Sequence, residues 1–395
     1  MTDLGHVAIR HLELEQFRAH VALTLDVPPA GLRIHGPNGS GKTTILEAIQ
    51  LLSTTRPRRG ALDNDLIHHE SGRDLGLQPY ARVVGVFDRA GAVARVEAFI
   101  QRGVRGNTAR KTLKVGERAR RAADVVGLIP TVSFAPDDLE LVLGTPSIRR
   151  RFLDVLLSQT DKQYLRCLGK YAKILAQRNG LLRRVDALGP TADQFVFWDE
   201  QLVALGSYLV AARVRAVARL AECAAARFEL LAPGIGEFQL AYVSTLDAPA
   251  PWWRALVNEP NDTFDAAQRV GVMFERRLRE SGVQERARGM TVVGPHRDDI
   301  SVALGGRELA RFGSRGQQRV AVIAVKLAEI DVISSTTSLR PIFLIDDVLS
   351  ELDMHRRRAL LQAVAAEQCQ LLVTSTEAEL LEDPALTHTG ELELG

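Results

Sequence analysis

Apolar and polar residues alternate through much of residues 1–125, and a period of two is typical of β-strands with one buried face. Residues 21–27 and residues 93–100 alternate in this way. A shorter alternation over residues 31–35 runs into a glycine-rich loop, after which apolar residues recur at helical spacing. Gly106-Asn107 predicts a turn between two strands. We therefore expect the N-terminal part of the chain to be rich in strands.

The pattern becomes helical from about residue 149 to residue 288. Tyr164, Leu168, Tyr171 and Leu175 form one apolar stripe at helical spacing, and residues 195–231 continue as a long helix that ends at Pro233-Gly234. Such stripes are typical of packing seams. Strands return near residue 291, with a hairpin predicted around Gly305-Gly306. These changes predict three segments: a strand-rich part (1–125), a mainly helical insertion (126–289) and a C-terminal part (290–395).

The glycine-rich loop after residue 35 matches the phosphate-binding pattern G-x-x-x-x-G-K-[ST]. Glycines let successive backbone N–H groups point at phosphate oxygens, and the N-terminus of the following helix favours negative charge. Lys42 would reach the β- and γ-phosphates, and the Thr43 hydroxyl would bind Mg²⁺. The residues predicted to hold the nucleotide here are Gly36, Pro37, Asn38, Gly39, Ser40, Gly41, Lys42, Thr43 and Thr44.

A phosphate loop of this type needs an acidic partner strand, and residues 341–347 provide one. Four apolar residues predict a buried parallel strand, and Asp346 and Asp347 follow at its C-terminal end. Because side chains alternate along a strand, the two carboxylates can point in different directions. We expect Asp346 to hold Mg²⁺, directly or through water, and Asp347 to orient the attacking water.

A second anion-binding motif lies upstream of the acidic strand, in residues 312–319 (FGSRGQQR). Ser314, Gly316 and Gln317 open a predicted helix, and helix N-termini favour anions. Their order and spacing resemble the signature of ABC-type ATPases, in which the signature of one subunit meets the γ-phosphate held by another. Residues 350–353 resemble the D-loop of the same ATPases. Thr374 and Thr376 end a further predicted strand and are candidates for sensing the γ-phosphate.

Composition is that of an ordinary globular protein, with 46% hydrophobic and 25% charged residues and a net charge of +2. Positive charge is nevertheless clustered, and arginine binds phosphate bidentately. The candidate DNA contacts are Arg56, Arg58, Arg59, Arg149 and Arg150. The three isolated cysteines argue against disulfides and a zinc cage, and no run of eighteen apolar residues occurs. These observations favour a cytoplasmic protein.

Six motifs in order resemble the RecF family of recombination mediators, over almost the full length of the chain. They are residues 12–18 (LELEQFR), 36–53 (GPNGSGKTTILEAIQLLS), 134–142 (FAPDDLELV) with 144–154 (GTPSIRRRFLD), 294–299 (GPHRDD), 316–319 (GQQR) and 346–353 (DDVLSELD). The resemblance implies an α/β fold: an ABC-type P-loop ATPase head, with a mixed sheet and an antiparallel β subdomain, and an inserted mainly helical arm. It implies an ATP- and Mg²⁺-dependent homodimer with slow hydrolysis, which binds gapped and junction DNA and works with RecO- and RecR-type mediators to load the RecA recombinase.

The chain departs from this pattern at three places. Thr44 stands where the family usually has asparagine, residues 132–141 contain no glutamine, and residues 370–376 contain no switch histidine. Asp137 and Asp138 are the polar groups that remain in the second of these regions. A transporter ATPase subunit, a nuclease and a chromosome-organising head with a tethering role are alternatives, and the last requires longer heptad repeats than this chain has.

Overall fold

The computed structural model describes residues 4–57, 61–72, 78–103, 108–184, 192–258 and 263–395. The chain packs into two compact units. Unit 1 combines Met1–Asp138 with Val322–Gly395, and unit 2 is Leu139–Ala321. The domain limits at residues 125/126 and 289/290 stay a prediction.

Unit 1 contains most of the strands, as the alternating pattern of residues 1–125 predicts. The strands of the chain are β1 (Gly5–Phe17), β2 (His20–Asp26), β3 (Gly31–His35), β4 (Tyr80–Arg89), β5 (Ala92–Arg102), β6 (Ala109–Val115), β7 (Arg118–Arg120), β8 (Thr131–Phe134), β9 (Phe238–Val243), β10 (Asp299–Leu304), β11 (Arg307–Glu308), β12 (Leu339–Arg340), β13 (Ile342–Asp346), β14 (Leu371–Ser375) and β15 (Gly390–Glu393).

Helices dominate unit 2. In unit 1, a helix of 13 residues directly follows the phosphate loop. The α-helices are α1 (Lys42–Thr54), α2 (Ala122–Val125), α3 (Glu140–Leu143), α4 (Pro146–Thr160), α5 (Lys162–Leu182), α6 (Ala192–Leu231), α7 (Ala250–Asn258), α8 (Thr263–Glu280), α9 (Gly282–Arg288), α10 (Leu309–Phe312), α11 (Arg315–Thr337) and α12 (Met354–Ala366). Short 3₁₀ turns cover Asp63–Leu66, Pro136–Leu139, Leu349–Glu351, Ala378–Leu381 and Pro384–Leu386.

Two sheets build unit 1. A five-stranded parallel sheet has the order β15-β3-β14-β13-β8, and a seven-stranded, largely antiparallel sheet has the order β12-β1-β4-β5-β6-β7, with β2 paired to β1. Helix α1 packs against strands of both sheets and buries Ile45 and Ile49 in their common core. The buried side chain of Gln370 joins the two sheets through hydrogen bonds with the backbone of Ile9 and Pro28. The helix that follows the phosphate loop is therefore held on both sides.

Unit 2 is a helical assembly with a small antiparallel sheet. Helix α6 packs against α5, α8 and strand β9, and the apolar stripe predicted on Tyr164 and Tyr171 is buried in this core. The predicted hairpin at Gly305-Gly306 is formed by β10 and β11. Strand β9, which pairs with β10, lies inside the segment whose pattern was helical and was not predicted.

One helical stretch among the described residues, Gln194–Leu231, is long and apolar enough to cross a membrane by length and composition alone. Of its most apolar window, 67% is buried inside the protein. This is the burial expected for the core helix of a globular unit.

Candidate functional site

The glycine-rich loop lies between β3 and α1, as the pattern of this segment predicts. Gly36, Gly39 and Gly41 have φ values of +148°, +86° and +94°, which side chains rarely tolerate. Two of these glycines also have no room for a side chain. A Cβ on Gly36 would lie 2.1 Å from the carbonyl oxygen of Leu394, and a Cβ on Gly41 would lie 2.4 Å from Nε2 of His20. The loop is therefore clamped at both ends by other elements of unit 1.

Lys42 folds back over the glycine-rich loop. Its side chain is largely buried, and Nζ donates to the carbonyl oxygens of Gly36 at 2.7 Å and Pro37 at 2.8 Å. The Ser40 hydroxyl oxygen is also buried, and it has no hydrogen-bond partner in the part of the chain that the structure describes. A cationic group and an unpartnered hydroxyl thus lie in one small loop, and both suit a phosphate ligand.

The acidic strand lies at the same edge of the parallel sheet as the loop. Strands β3, β14 and β13 are neighbours, and their register places His35, Ser375 and Asp346 at their carboxyl ends. Oδ1 of Asp346 accepts from the Thr43 hydroxyl at 2.8 Å and from the Thr374 hydroxyl at 3.0 Å. Thr43 and Asp346 are 303 residues apart in the sequence. The fold therefore brings together the two residues that the sequence predicts as Mg²⁺ ligands.

Asp347 has a different environment from Asp346. Its backbone has a φ of +50°, and its N–H donates to the Thr374 hydroxyl at 3.0 Å. Burial, followed by the neighbouring charge of Asp346, raises the pKa of Asp347, although the backbone amide of Thr376 and the charge of Lys42 act in the opposite direction. One carboxylate oxygen, Oδ1, is buried without a hydrogen-bond partner among the described residues. This oxygen can accept a hydrogen bond from a ligand or a water molecule.

Ser314 and Gln317 form a capping box at the N-terminus of α11, in unit 2. The backbone N–H of Gln317 donates to the Ser314 hydroxyl oxygen at 3.2 Å, and the backbone N–H of Ser314 donates to the Gln317 side-chain oxygen at 2.8 Å. Ser314 is exposed. A serine hydroxyl can accept and donate at the same time, so the cap leaves its hydrogen for another acceptor. The S-x-x-Q spacing therefore caps the helix, in addition to the predicted role of Ser314 in meeting a γ-phosphate.

The arginines predicted to contact DNA fall into different environments. Arg56 is exposed directly after α1, whereas Arg58 and Arg59 lie outside the described residues. Arg149 makes a bidentate pair with Asp299, at 2.7 and 2.8 Å, and donates to the carbonyl of Gly144. Arg150 donates to the carbonyl of Asp298. Contact with DNA stays a prediction for all of these arginines. Arg149 and Arg150 would have to give up hydrogen bonds within the protein to contact DNA.

The GPHRDD segment forms a buried polar network in unit 2, which sequence reasoning did not anticipate. Asp298 is 1% exposed and accepts from the hydroxyls of Tyr242 and Ser244 and from the N–H and hydroxyl of Thr245. Burial lowers the pKa of His296 to about 4, so its ring is neutral at pH 7 between Tyr171 and the carbonyl of Thr291. These residues lie on three separate stretches of sequence, at residue 171, residues 242–245 and residues 291–298, which their hydrogen bonds join.

Two further buried arginines extend this network. Arg213 bonds to Asp154, the Tyr164 hydroxyl and the carbonyl of Pro295. Arg178 bonds to Asp199, Glu285 and Thr291. A fully buried arginine is costly unless each of its donors has a partner, so these contacts fix how the helices of unit 2 pack. Only the apolar stripes of the same helices were visible in the sequence.

The strand-loop-helix order, the clamped glycines and the carboxylate at the end of the next-but-one strand define a P-loop nucleoside triphosphatase head. In the described part of the chain no cluster of three or more His, Cys, Asp or Glu side chains is arranged to hold a metal by itself.

Comparisons with known proteins identify the family. The family model described as the RecF/RecN/SMC N terminal domain matches residues 8–388. The chain is 41% identical to the DNA replication and repair protein RecF of Thermomicrobium roseum over 383 residues, which is 96% of each chain. It is 40% identical to that of Herpetosiphon aurantiacus, over 94% of each chain. The chain therefore belongs to the RecF family.

Solved structures agree with this assignment. The chain resembles the recombination mediator protein RecF-ATP of the RecFOR pathway with a TM-score of 0.81 and 26% identity, and the match covers 95% of this chain and 94% of that one. A RecF-ATPrS structure matches with the same TM-score over 97% and 96% of the two chains. The predicted fold class, an ABC-type ATPase head with an inserted helical arm, is confirmed.

Proposed function

We propose that this protein is a DNA-repair ATPase that binds ATP at the loop of residues 36–44 and uses slow hydrolysis as a switch. The observation that carries the proposal is the hydrogen bond from Thr43 to Asp346, because it joins the phosphate loop to the acidic strand. A relative of known structure is described as RecF-ATP, which supports the choice of nucleotide.

Each residue of the site has a role consistent with its contacts. Lys42 exchanges the carbonyls of Gly36 and Pro37 for phosphate oxygens, and backbone N–H groups at the start of helix α1 donate to the same phosphates. Thr43 and Asp346 would hold Mg²⁺, which neutralises phosphate charge when bound. Asp347 accepts a proton or a hydrogen bond from the attacking water through Oδ1, which has no partner in the described part of the chain.

The switch acts through dimerisation. In this proposal two heads form a homodimer with two composite sites, and Ser314, Gly316 and Gln317 of one subunit meet the γ-phosphate held by the other. The dimer binds gapped or junction DNA and works in the cytoplasm with RecO- and RecR-type mediators to load the RecA recombinase. The curated relatives named for DNA replication and repair, and the structures named for the RecFOR pathway, support this choice over a chromosome-organising role.

ATP-dependent dimerisation, measured by light scattering with and without gapped duplex DNA, tests the proposal. The dimer should form with ATP, should strengthen with DNA, and should be lost in Lys42→Ala. Ser314→Arg should bind ATP as a monomer and fail to dimerise, since it places bulk and charge at the helix N-terminus. A dimer of Ser314→Arg as stable as that of the wild type would contradict the composite site.

The capping box permits a sharper test of Ser314. Ser314→Asp keeps an acceptor for the N–H of Gln317, so the helix stays capped, but it has no hydrogen to donate and it repels phosphate. Ser314→Thr keeps both functions. Ser314→Asp should therefore melt like the wild type and hydrolyse ATP poorly. Ser314→Thr should both melt and hydrolyse ATP like the wild type. Equal hydrolysis by both variants would restrict Ser314 to its capping role.

The DNA contacts are tested by salt dependence. Exchanging Arg58 and Arg59 for Glu should weaken binding to all DNA and flatten the dependence of affinity on salt, because fewer counterions are released. ATP affinity serves as the control and should not change. An unaltered salt slope would exclude both arginines as backbone contacts.

A further inference from the structure

The turn between β1 and β2 carries a histidine that touches the phosphate loop. Nε2 of His20 lies 3.2 Å from the carbonyl oxygen of Gly41, and a Cβ on Gly41 would lie 2.4 Å from the same nitrogen. A carbonyl oxygen only accepts hydrogen bonds, so Nε2 must carry the proton. The imidazole thus donates to the last glycine of the loop, and no room is left between them.

The Gly41 carbonyl belongs to the peptide whose N–H is that of Lys42. A trans peptide is planar, with its C=O and N–H pointing in opposite directions. The Gly41 carbonyl also accepts from the backbone N–H of Ile45 in helix α1 at 3.3 Å, so His20 and this helical hydrogen bond hold it together. The Lys42 N–H, on the other side of the same peptide, therefore points away from His20. This N–H is one of the first donors of helix α1, which have no partner within the helix. The first helical donors are the groups that face a phosphate at a helix N-terminus.

His20 is itself held in place by a braced turn. Phe17 pairs with His20 across the turn, so only Arg18 and Ala19 connect the two strands. The backbone N–H of Arg18 donates to the carbonyl of Leu66 at 2.9 Å, and its guanidinium pairs with Glu47 of helix α1 at 3.1 Å. The turn is thus anchored to the same helix whose N-terminus His20 contacts.

We propose that His20 is a positioning residue for nucleotide binding, which orients the Gly41–Lys42 peptide so that the Lys42 N–H faces the phosphates. This inference rests on the proposed function, since it assumes that the loop binds a nucleoside triphosphate. The expected ligand group is a phosphate shared by ATP and ADP, so both nucleotides should depend on His20.

Two kinds of substitution separate the hydrogen bond from the volume of the ring. His20→Phe and His20→Leu fill space without a donor, whereas His20→Gln places an amide N–H at a similar reach. Affinities for ATP and ADP are measured with a fluorescent analogue, and melting temperature is measured without nucleotide. His69→Phe is the matched control, because the His69 side chain is 77% exposed.

His20→Phe and His20→Leu should bind ATP and ADP about tenfold more weakly or worse, as expected for a lost hydrogen bond that orients a donor to a charged group. His20→Gln and His69→Phe should bind like the wild type. Two apolar variants are used so that one remains if the other does not fold. Wild-type affinity in a folded His20→Phe or His20→Leu protein would overturn the inference, and so would equal weakening in His20→Gln.

The wild type and Lys42→Ala distinguish this outcome from failure of the proposed function. If the wild type binds ATP and Lys42→Ala does not, the loop is a nucleotide site, and the His20 variants alone decide the inference. If the wild type does not bind ATP, the proposed function is overturned, and the inference falls with it.

Discussion

Two Asp-Asp pairs, one in each unit, have similar sequences and different surroundings. Asp298 is buried and accepts hydrogen bonds from three side-chain hydroxyls and one backbone amide, and Asp299 is paired with Arg149. Asp346 accepts from two threonine hydroxyls, and Asp347 keeps a buried oxygen without a partner among the described residues. The first pair has its hydrogen-bonding capacity filled by the protein, whereas the second does not.

This difference separates a structural motif from a chemical one. A buried carboxylate with all its partners stabilises the arrangement of the groups around it, and its removal leaves those donors unpaired. A buried oxygen without a partner costs stability, and proteins keep such groups mainly where a ligand or a reaction uses them. The Asp346-Asp347 pair is therefore where we expect substitutions to change chemistry, and the Asp298-Asp299 pair is where they should change stability.

The largest expected effect is that of Asp347→Asn on ATP hydrolysis. Loss of the water-orienting carboxylate should slow turnover by about 10²- to 10⁴-fold, the usual contribution of a general base. ATP affinity should be retained and ATP-bound dimers should accumulate. Single-turnover hydrolysis measures the effect, with Asp346→Asn as a comparison that should weaken Mg²⁺-dependent binding instead. Identical behaviour of the two variants would contradict separate roles.

The second effect is that of Asp298→Ala on folding. Removing this acceptor leaves the Tyr242 hydroxyl and the Thr245 amide without a partner, and we expect a loss of about 3 kcal/mol in the free energy of unfolding. Urea unfolding followed by tryptophan fluorescence is suitable, because Trp252 and Trp253 lie in unit 2. Asp298→Asn keeps one acceptor oxygen and should cost less. Unchanged stability of Asp298→Ala would remove the basis of the comparison.

Arg149 should show a smaller effect of the same kind. Arg149→Ala breaks the bidentate pair with Asp299, and because this pair is only partly exposed we expect a loss of about 1–2 kcal/mol. A lower DNA affinity with a flatter salt slope at matched folded fraction would instead support the predicted DNA contact. Arg56→Ala, at an exposed site, is the control for stability.

The smallest effect concerns pH. The pKa of Asp347 is raised in the folded state, so folding disfavours the charged carboxylate. The free energy of unfolding therefore falls as pH rises above 3.8, the ordinary pKa of an aspartate. Asp347→Asn should therefore melt slightly higher than the wild type near pH 7, and the difference should vanish at about pH 3, where both forms are neutral. A lower melting temperature for Asp347→Asn at neutral pH would show that the carboxylate stabilises the fold.

Short contiguous signals made much of unit 1 predictable. Two short segments have strong local patterns: the phosphate loop with its flanking strand and helix, and the acidic strand. Each segment spans no more than about twenty-five residues, so its pattern can be read without the rest of the fold. The hairpin at Gly305-Gly306 and the helix of Tyr164 were predicted for the same reason. Thr43 and Asp346 could be predicted as joint Mg²⁺ ligands because a phosphate loop of this type works with an acidic strand.

The remaining features depend on contacts that no local pattern encodes. Strand β9 is six residues long within a helical context, and only its pairing with β10 makes it a strand. The partners of Arg178, Arg213 and Asp298 are distant in the sequence, so no local pattern could predict their hydrogen bonds. The histidines of the sequence were interpreted as surface or loop residues, and the contact of His20 with Gly41 depends on the fold.

Strand β3, which leads into the phosphate loop, lies between β14 and β15 in the parallel sheet. Both neighbours follow it by more than 330 residues, and Leu394 also fills the space beside Gly36. At roughly 5–20 residues per second, the ribosome needs on the order of 20–70 s to make the chain that separates them. During that time the nascent strand has neither of its edges paired. The loop can therefore take the shape described above only after β14 and β15 have been made, and a nascent chain that lacks them would not hold the proposed nucleotide.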